Sequence, residues 1–399
     1  MDKIVLCFFT GVPSTRSATI KPVMKNLSRR SFLCTASVSA LAAAASPRLF
    51  AASMPAQRVF VGSGTAQGIL AYDWKNGELT PAGVAAALPN ATWITLSPGH
   101  AYLYVATEVD SFQGKPTGEV SSFRVEQGAL QPLSAQNSAS VGTCHVGLDH
   151  SGKVLISADY GGGGAASFRI TDGQLSPAVS IEHFTGHGPR SDRQQSAHAH
   201  FVSFSPDNSF AYINDLGSDC IHIFRLNAAT AELSPTGEYR ARPGAGPRTL
   251  HFHPNGHTAY SVNELDSTVD LLSWSPADGG LSLVTRIELL PKGYQGPTRA
   301  CDTVISRDGR SVYFANRDND FLYSFHAAYE TGALTPIGRT SCGGKTPRNF
   351  TLDPTERWML VANQDSSLIS VFARNPQTGA LAAEGKSFAA PTPMCIVFA

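Results

Sequence analysis

The chain of 399 residues is short of charge, and what it has balances. Only 16% of residues are charged, with 31 Lys+Arg against 31 Asp+Glu. No global field therefore favours nucleic acid or an anionic membrane, and no nucleic-acid partner is expected. Long helical periodicity is absent after the N-terminus. No apolar run is long enough to span a bilayer as an ordinary helix; the best, Leu33 to Ala45, falls short. Cysteine is also scarce. Beyond the leader stand Cys144, Cys220, Cys301, Cys342 and Cys395, an odd number without CxxC spacing. A cysteine-built zinc site is not expected from that spacing, and mostly buried free thiols are. What is plentiful is Gly (36) and Pro (25), which fits many short strands joined by turns.

The N-terminus reads as an address. Ser28-Arg29-Arg30-Ser31-Phe32-Leu33 precedes the Ala-rich run, and Ala43-Ala44-Ala45 supplies small residues for cleavage between Ala44 and Ala56. This is the pattern of a twin-arginine export signal, so residues 1–56 are set apart as a leader. Met24-Lys25-Asn26-Leu27 would open such a signal naturally, and Met24 is the expected true start. The expected partner of the leader is the twin-arginine export machinery, and the expected compartment is the periplasm.

Residues 57–399 repeat. A turn followed by Leu recurs at Leu79, Leu130, Leu175, Leu233, Leu281, Leu334 and Leu381, with steps of 45 to 58 residues. A second turn recurs at Ser97-Pro98-Gly99, Asp149-His150-Ser151-Gly152, Ser205-Pro206-Asp207, His253-Pro254-Asn255-Gly256, Ser306-Arg307-Asp308-Gly309 and Asp353-Pro354-Thr355. About 50 residues holding four short strands is one propeller blade. The segment from Arg58 starts with a second-strand pattern, and Pro391 to Phe398 resembles the first strand missing there. The expected fold is all-β, a single seven-bladed propeller whose N- and C-terminal segments share one blade, leaving no open edge.

Each hairpin begins and ends at one mouth of the channel. Arg248 to Phe252 and Ala259 to Asn263, joined through Pro254-Asn255-Gly256, bring Arg248 and Glu264 to the same end. Aligned on these hairpins, the blades place Thr92, Cys144, His200, Arg248, Cys301, Arg348 and Met394 side by side, followed by Trp93, His145, Phe201, Thr249, Asp302, Asn349 and Cys395. The strand exits add Glu108, Tyr160, Asp215, Glu264, Arg317 and Gln364. Positions that only build blades should be apolar; a mouth of mixed charge is an active-site candidate, and its arginines suit an anionic ligand. The long insertion around 182–195 should lie over the same mouth. His198 and His200 share one face of a strand, but no third ligand follows at convincing spacing, so neither metal nor other cofactor is expected. Asp159-Tyr160-Gly161-Gly162-Gly163-Gly164 lacks the Gly-Lys-Ser/Thr of a phosphate loop and reads as a blade loop with close backbone approach.

These residues resemble the seven-bladed propeller lactonase family, which includes propeller-type 6-phosphogluconolactonases and fungal carboxy-muconate lactonizing enzymes. The resemblance rests on Ala197-His198-Ala199-His200, Asp215-Leu216-Gly217-Ser218-Asp219, Gly246-Pro247-Arg248 through Asn263-Glu264-Leu265, Asn316-Arg317, Pro347-Arg348 and Cys144-His145. It implies catalysis by His200, Arg248 and Glu264, and a further arginine at Arg317. On that basis Glu264 is expected as general base on water, Arg248 as anion or oxyanion holder, and His200 as donor to the leaving alkoxide. Arg317 and Arg348 would anchor a carboxylate or phosphate, with His145, His198, Asp215 and Tyr160 as further substrate contacts. The implied activity is hydrolysis of a sugar-derived or carboxylated lactone by a monomer. A muconate-type cycloisomerase and a non-catalytic periplasmic binding propeller are the alternatives. Ala197 stands where the family commonly has Pro, and Asp302 where it has Glu.

Overall fold

A computed structural model describes residues 56–399. The leader and its expected signal, start, cleavage region and two cysteines lie outside the described residues. Twenty-nine strands and no helix make up the described chain. They form seven sheets, six of four strands and one whose outer edge is split. In that third blade Gln174–Leu175 and Ile181–His183 both pair with Gly164–Thr171, because Pro177 and its neighbours interrupt the outer strand.

The turns explain the regularity. In five of the hairpins a short polar side chain at the turn's start accepts the backbone N–H five residues on: Ser97 from Tyr102, Asp149 from Val154, Ser205 from Phe210, Ser306 from Ser311, Asp353 from Trp358. Such side-chain bonds compete well only in turns, so they fix where each strand stops and the next begins. Neighbouring blades are tied in the same repeating way. The hydroxyls of Tyr212, Tyr260 and Tyr313 each donate to a glycine carbonyl in the outer turn of the next blade, at 2.8, 2.7 and 2.6 Å. Between the blades lie apolar layers from the middle of the strands, such as Tyr260, Val262, Val269 and Leu271 against Val312, Phe314 and Phe325.

Ring closure follows the sequence expectation: the last strand, Pro393–Phe398, pairs with the first, Gln57–Ser63, with Val59 opposite Phe398 and Gly62 opposite Cys395. All five cysteines of the described chain are buried thiols. The Gly-rich loop does bring backbones together: a Cβ on Gly163, whose φ is 64°, would stand 2.5 Å from the Ala197 carbonyl oxygen.

One irregularity shared by all seven blades builds the channel. The innermost strands are Ala91–Leu96, Thr143–Leu148, Ala199–Phe204, Pro247–Phe252, Ala300–Ile305, Pro347–Leu352 and Pro393–Phe398. Each slips register around its second residue, so Thr92, Cys144, His200, Arg248, Cys301, Arg348 and Met394 have no partner across the ladder. A bulge re-aims a side chain away from the sheet face. Here six of those seven residues line one narrow space on the channel.

Candidate active site

Above the bulged ring lies a pocket of about 220 Å³ lined by Glu108, Cys144, Tyr160, Arg193, His200, Glu264, Arg299, Arg317 and Arg348. Glu264 is its pivot. The carboxylate is 1% exposed and meets three guanidiniums: Arg248 Nε at 3.0 Å and Arg317 Nη2 at 2.5 Å from Oε2, and Arg193 Nη2 at 2.7 Å from Oε1. Burial alone would raise its pKa, but Arg317, then Arg248, His200 and Arg193, outweigh that and hold the carboxyl well below the usual range. The same surroundings act oppositely on His200. Burial first, then Arg248, push its imidazole well below 6.5, so it is neutral at pH 7. Arg317 is lowered by burial to about 10 and stays charged at that pH.

Several polar atoms around this pocket lack an aligned hydrogen bond. His200 Nδ1, Arg248 Nε and Arg317 Nε and Nη2 are buried without a hydrogen-bond partner. Arg248 Nε and Arg317 Nη2 therefore sit beside Glu264 as ion pairs, not as aligned hydrogen bonds. Arg248 spends Nη1 on the Cys301 carbonyl. Arg348 goes further: among the described residues it makes neither an ion pair nor a hydrogen bond, though it borders both the pocket and the narrow space beneath. Native interiors leave few such groups unpaired, so their concentration here makes the pocket a candidate ligand site.

The structure brings His200, Arg248, Glu264, Arg317, Arg348 and Tyr160 together and separates the remaining expected contacts. His198 lies at the rim, its ring stacked on Tyr160 at 4.4 Å and its Nδ1 2.8 Å from the Tyr160 carbonyl oxygen. His145 borders the narrow space beneath, together with His200, Arg248 and Arg348. It belongs to a lower layer, packed between Trp93 at 4.4 Å and Phe201 at 4.0 Å, with Nδ1 accepting from the Val202 N–H. Continued by His251, Asp302 and Asn349, this layer floors the pocket. Asp215 is a correction. The residues following the second strands are Glu108, Tyr160, Leu216, Glu264, Arg317 and Gln364, so Leu216 holds the ring position and Asp215 ends its strand one place early. With a side-chain period of two, that single step takes it off the mouth. Its carboxylate instead accepts the N–H groups of His198, Gly217 and Ser218.

Arg193 and Arg299 escaped the sequence reading. Arg299 borders the pocket while paired with Asp318. Arg193 sits in the insertion, which Gln194 pins by donating to Leu216 O and Asp219 Oδ1, both at 2.8 Å. That anchorage lets Arg193 reach Glu264 and the Tyr160 hydroxyl. A larger cleft, about 530 Å³, between the outer strands of the first two blades offers no comparable chemistry; Glu119, its carboxylate, is engaged by Ser121.

A closed ring of seven four-stranded blades with an arginine-lined mouth defines a propeller of the lactonase architecture. The family described as "Lactonase, 7-bladed beta-propeller" matches residues 58–398, and the chain belongs to it. It is 29% identical over 340 residues to a 6-phosphogluconolactonase of Bacillus subtilis, covering 84% of this chain and 95% of that one. It is 32% identical over 337 residues to a 6-phosphogluconolactonase of Formosa agariphila, covering 81% and 94%. The solved structure of a periplasmic gluconolactonase from Pseudomonas aeruginosa superposes with a TM-score of 0.79 at 30% identity, covering 86% and 98%.

Proposed function

We propose that the protein hydrolyses a sugar-derived or carboxylated lactone at this mouth. The observation that carries the reading is the guanidinium of Arg348, without a protein partner among the described residues, facing a pocket that Arg317 also lines beside the neutral His200 imidazole and the Glu264 carboxylate. Arg348 binds the substrate's anionic group by charge-assisted hydrogen bonds. Arg317, whose Nε has no partner, receives the oxyanion that develops on the lactone carbonyl.

The roles of His200 and Glu264 exchange relative to the sequence expectation. A carboxylate gripped by three arginines has its oxygens engaged, whereas Nδ1 of the neutral His200 has no partner and is placed to accept a proton. His200 takes a proton from water as its oxygen adds to the carbonyl carbon. The ring C–O bond then breaks, and His200 returns the proton to the leaving alkoxide. The product hydroxy acid ionises and releases one proton to solvent. Glu264 positions the arginines and stabilises the transient imidazolium. The twin-arginine sequence pattern at Arg29-Arg30 and the periplasmic relative support action outside the cytoplasm.

The test is a pH-stat panel of neutral, phosphorylated and carboxylated sugar lactones on the mature protein. Turnover abolished by His200→Asn, with Arg348→Ala weakening only the anionic substrates, is expected. No turnover of any lactone by the wild-type protein overturns the reading. Closure of a conjugated diacid to a lactone would point to the cycloisomerase, and ligand binding without turnover to a binding propeller.

A further inference from the structure

Away from the mouth, strand register alone collects four metal-binding side chains on one face of the fourth blade. Cys220 and His222 are two apart in Cys220–Asn227 and point the same way. Glu238, in Glu232–Arg240, stands directly opposite His222, and Asp215, at the end of Phe210–Asp215, directly opposite Cys220. Paired residues on antiparallel strands share a face, so the ladder aims all four at one spot.

The distances approach those of a coordination sphere, the ligand atoms of Cys220, His222 and Glu238 all lying within 4.8 Å of one another. Zinc bonds of about 2.3 Å to sulfur and about 2.0 Å to nitrogen or oxygen, set tetrahedrally, put neighbouring ligand atoms about 3.5 Å apart. Here Cys220 Sγ lies 3.7 Å from His222 Nδ1 and 3.4 Å from Glu238 Oε2. The other imidazole nitrogen, Nε2, lies 3.5 Å from Asp215 Oδ2. A carboxylate behind the far nitrogen is the usual way a metal-binding histidine is oriented. Asp215 is itself immobilised by three backbone N–H groups and the Ser218 hydroxyl, and Phe184 stacks on the His222 ring at 4.0 Å. Glu238 keeps Oε1 on Arg240, leaving Oε2 for the cluster. Cys220 is buried whereas His222 and Glu238 reach solvent, so an ion has an entry path and an open fourth position.

We propose that Cys220, His222 and Glu238 form a Zn²⁺ site, with Asp215 as the carboxylate that orients His222. The ion displaces one proton from the Cys220 thiol to solvent and is held by thiolate, imidazole and carboxylate, with water completing the tetrahedron. Because Asp215 also accepts the His198 N–H, the site braces the strand entrance that carries the His198–Tyr160 stack.

The test uses the untagged mature protein, stripped of metal and dialysed against Zn²⁺ or Co²⁺. One zinc per chain by elemental analysis is expected, with a thiolate-to-cobalt charge-transfer band in the Co²⁺ form. Cys220→Ala should abolish the band, and Glu238→Gln and His222→Gln should each weaken Zn²⁺ binding at least tenfold. His222 and Glu238 reach solvent, so these two variants, checked by circular dichroism, keep the test valid if Cys220→Ala folds poorly. Failure to retain zinc, or retention unchanged in His222→Gln, overturns the proposal.

Discussion

Replacing Glu264 by Gln keeps the shape of the side chain and removes the one charge that Arg193, Arg248 and Arg317 share. The three guanidiniums then face one another without a counter-charge in a pocket where two of them are almost wholly buried. Removing one partner of a buried ion pair costs about 3–5 kcal/mol. Unfolding entropy of about 2.1 cal/mol/K per residue gives about 0.7 kcal/mol/K for a domain of this size, so Tm should drop by about 4–7 °C. A small anion should reverse part of that loss, because it restores the missing charge. Differential scanning calorimetry of wild type and Glu264→Gln, with and without phosphate, reads both effects. The variant should regain at least half of its lost Tm in phosphate, while the wild type gains less. A Tm within 1 °C of wild type and no response to phosphate would refute the account of Glu264 as the charge that holds the arginines. The same substitution should lower kcat for lactones while leaving a measurable residue of activity. His200→Asn should leave none.

Arg348→Ala should raise KM for an anionic lactone by about 10- to 100-fold, the equivalent of about 1.5–3 kcal/mol for a charge-assisted hydrogen bond, and leave a neutral lactone within about twofold. Arg193→Ala should change KM with little loss of Tm, since its side chain is 28% exposed and its loop is held by Gln194. Stability should fall as pH drops below 6.5, because the unfolded chain then takes up a proton that buried His200 refuses; His200→Asn should flatten that part of the profile in urea titrations. Burial raises Asp159 to about 7, so folding favours its protonated form, and Asp159→Asn should remove a loss of stability that develops between pH 4 and 7. Tyr260→Phe, which deletes one tie between blades, should cost about 1 kcal/mol in the same titration.

The architecture was legible in the sequence because its determinants are short-ranged. Asp149, Ser205 and Asp353 announce their turns within five residues, and Pro391 to Phe398 shows its membership of the first blade by pattern alone. The bulged ring was legible for a related reason: the same slip recurs in each blade, so equivalent residues stay aligned. Where one blade departs from the others the reading failed. Leu216 breaks the polar series of strand exits, and its acidic neighbour Asp215 fills the gap on paper though not in space. His145 is adjacent in sequence to a mouth residue, and one step along a strand is enough to move it into the aromatic floor. Arg193 has no counterpart in any other blade, so repetition could not find it. The Cys220–His222–Glu238 cluster depends on cross-strand register, which spacing along a single strand does not reveal.

The seven bulges separate what holds the ring together from what it recognises. A bulged residue contributes no rung to its ladder, so exchanging it alters the chemistry of the mouth without removing a rung between paired strands. Thr92, Cys144, Cys301 and Met394 occupy four such places with side chains of little charge, interleaved with His200, Arg248 and Arg348. The channel thus behaves as a dial with six writable positions on an unchanging frame. Divergence toward a new ligand can proceed one position at a time, and each step leaves the fold's closure where it was.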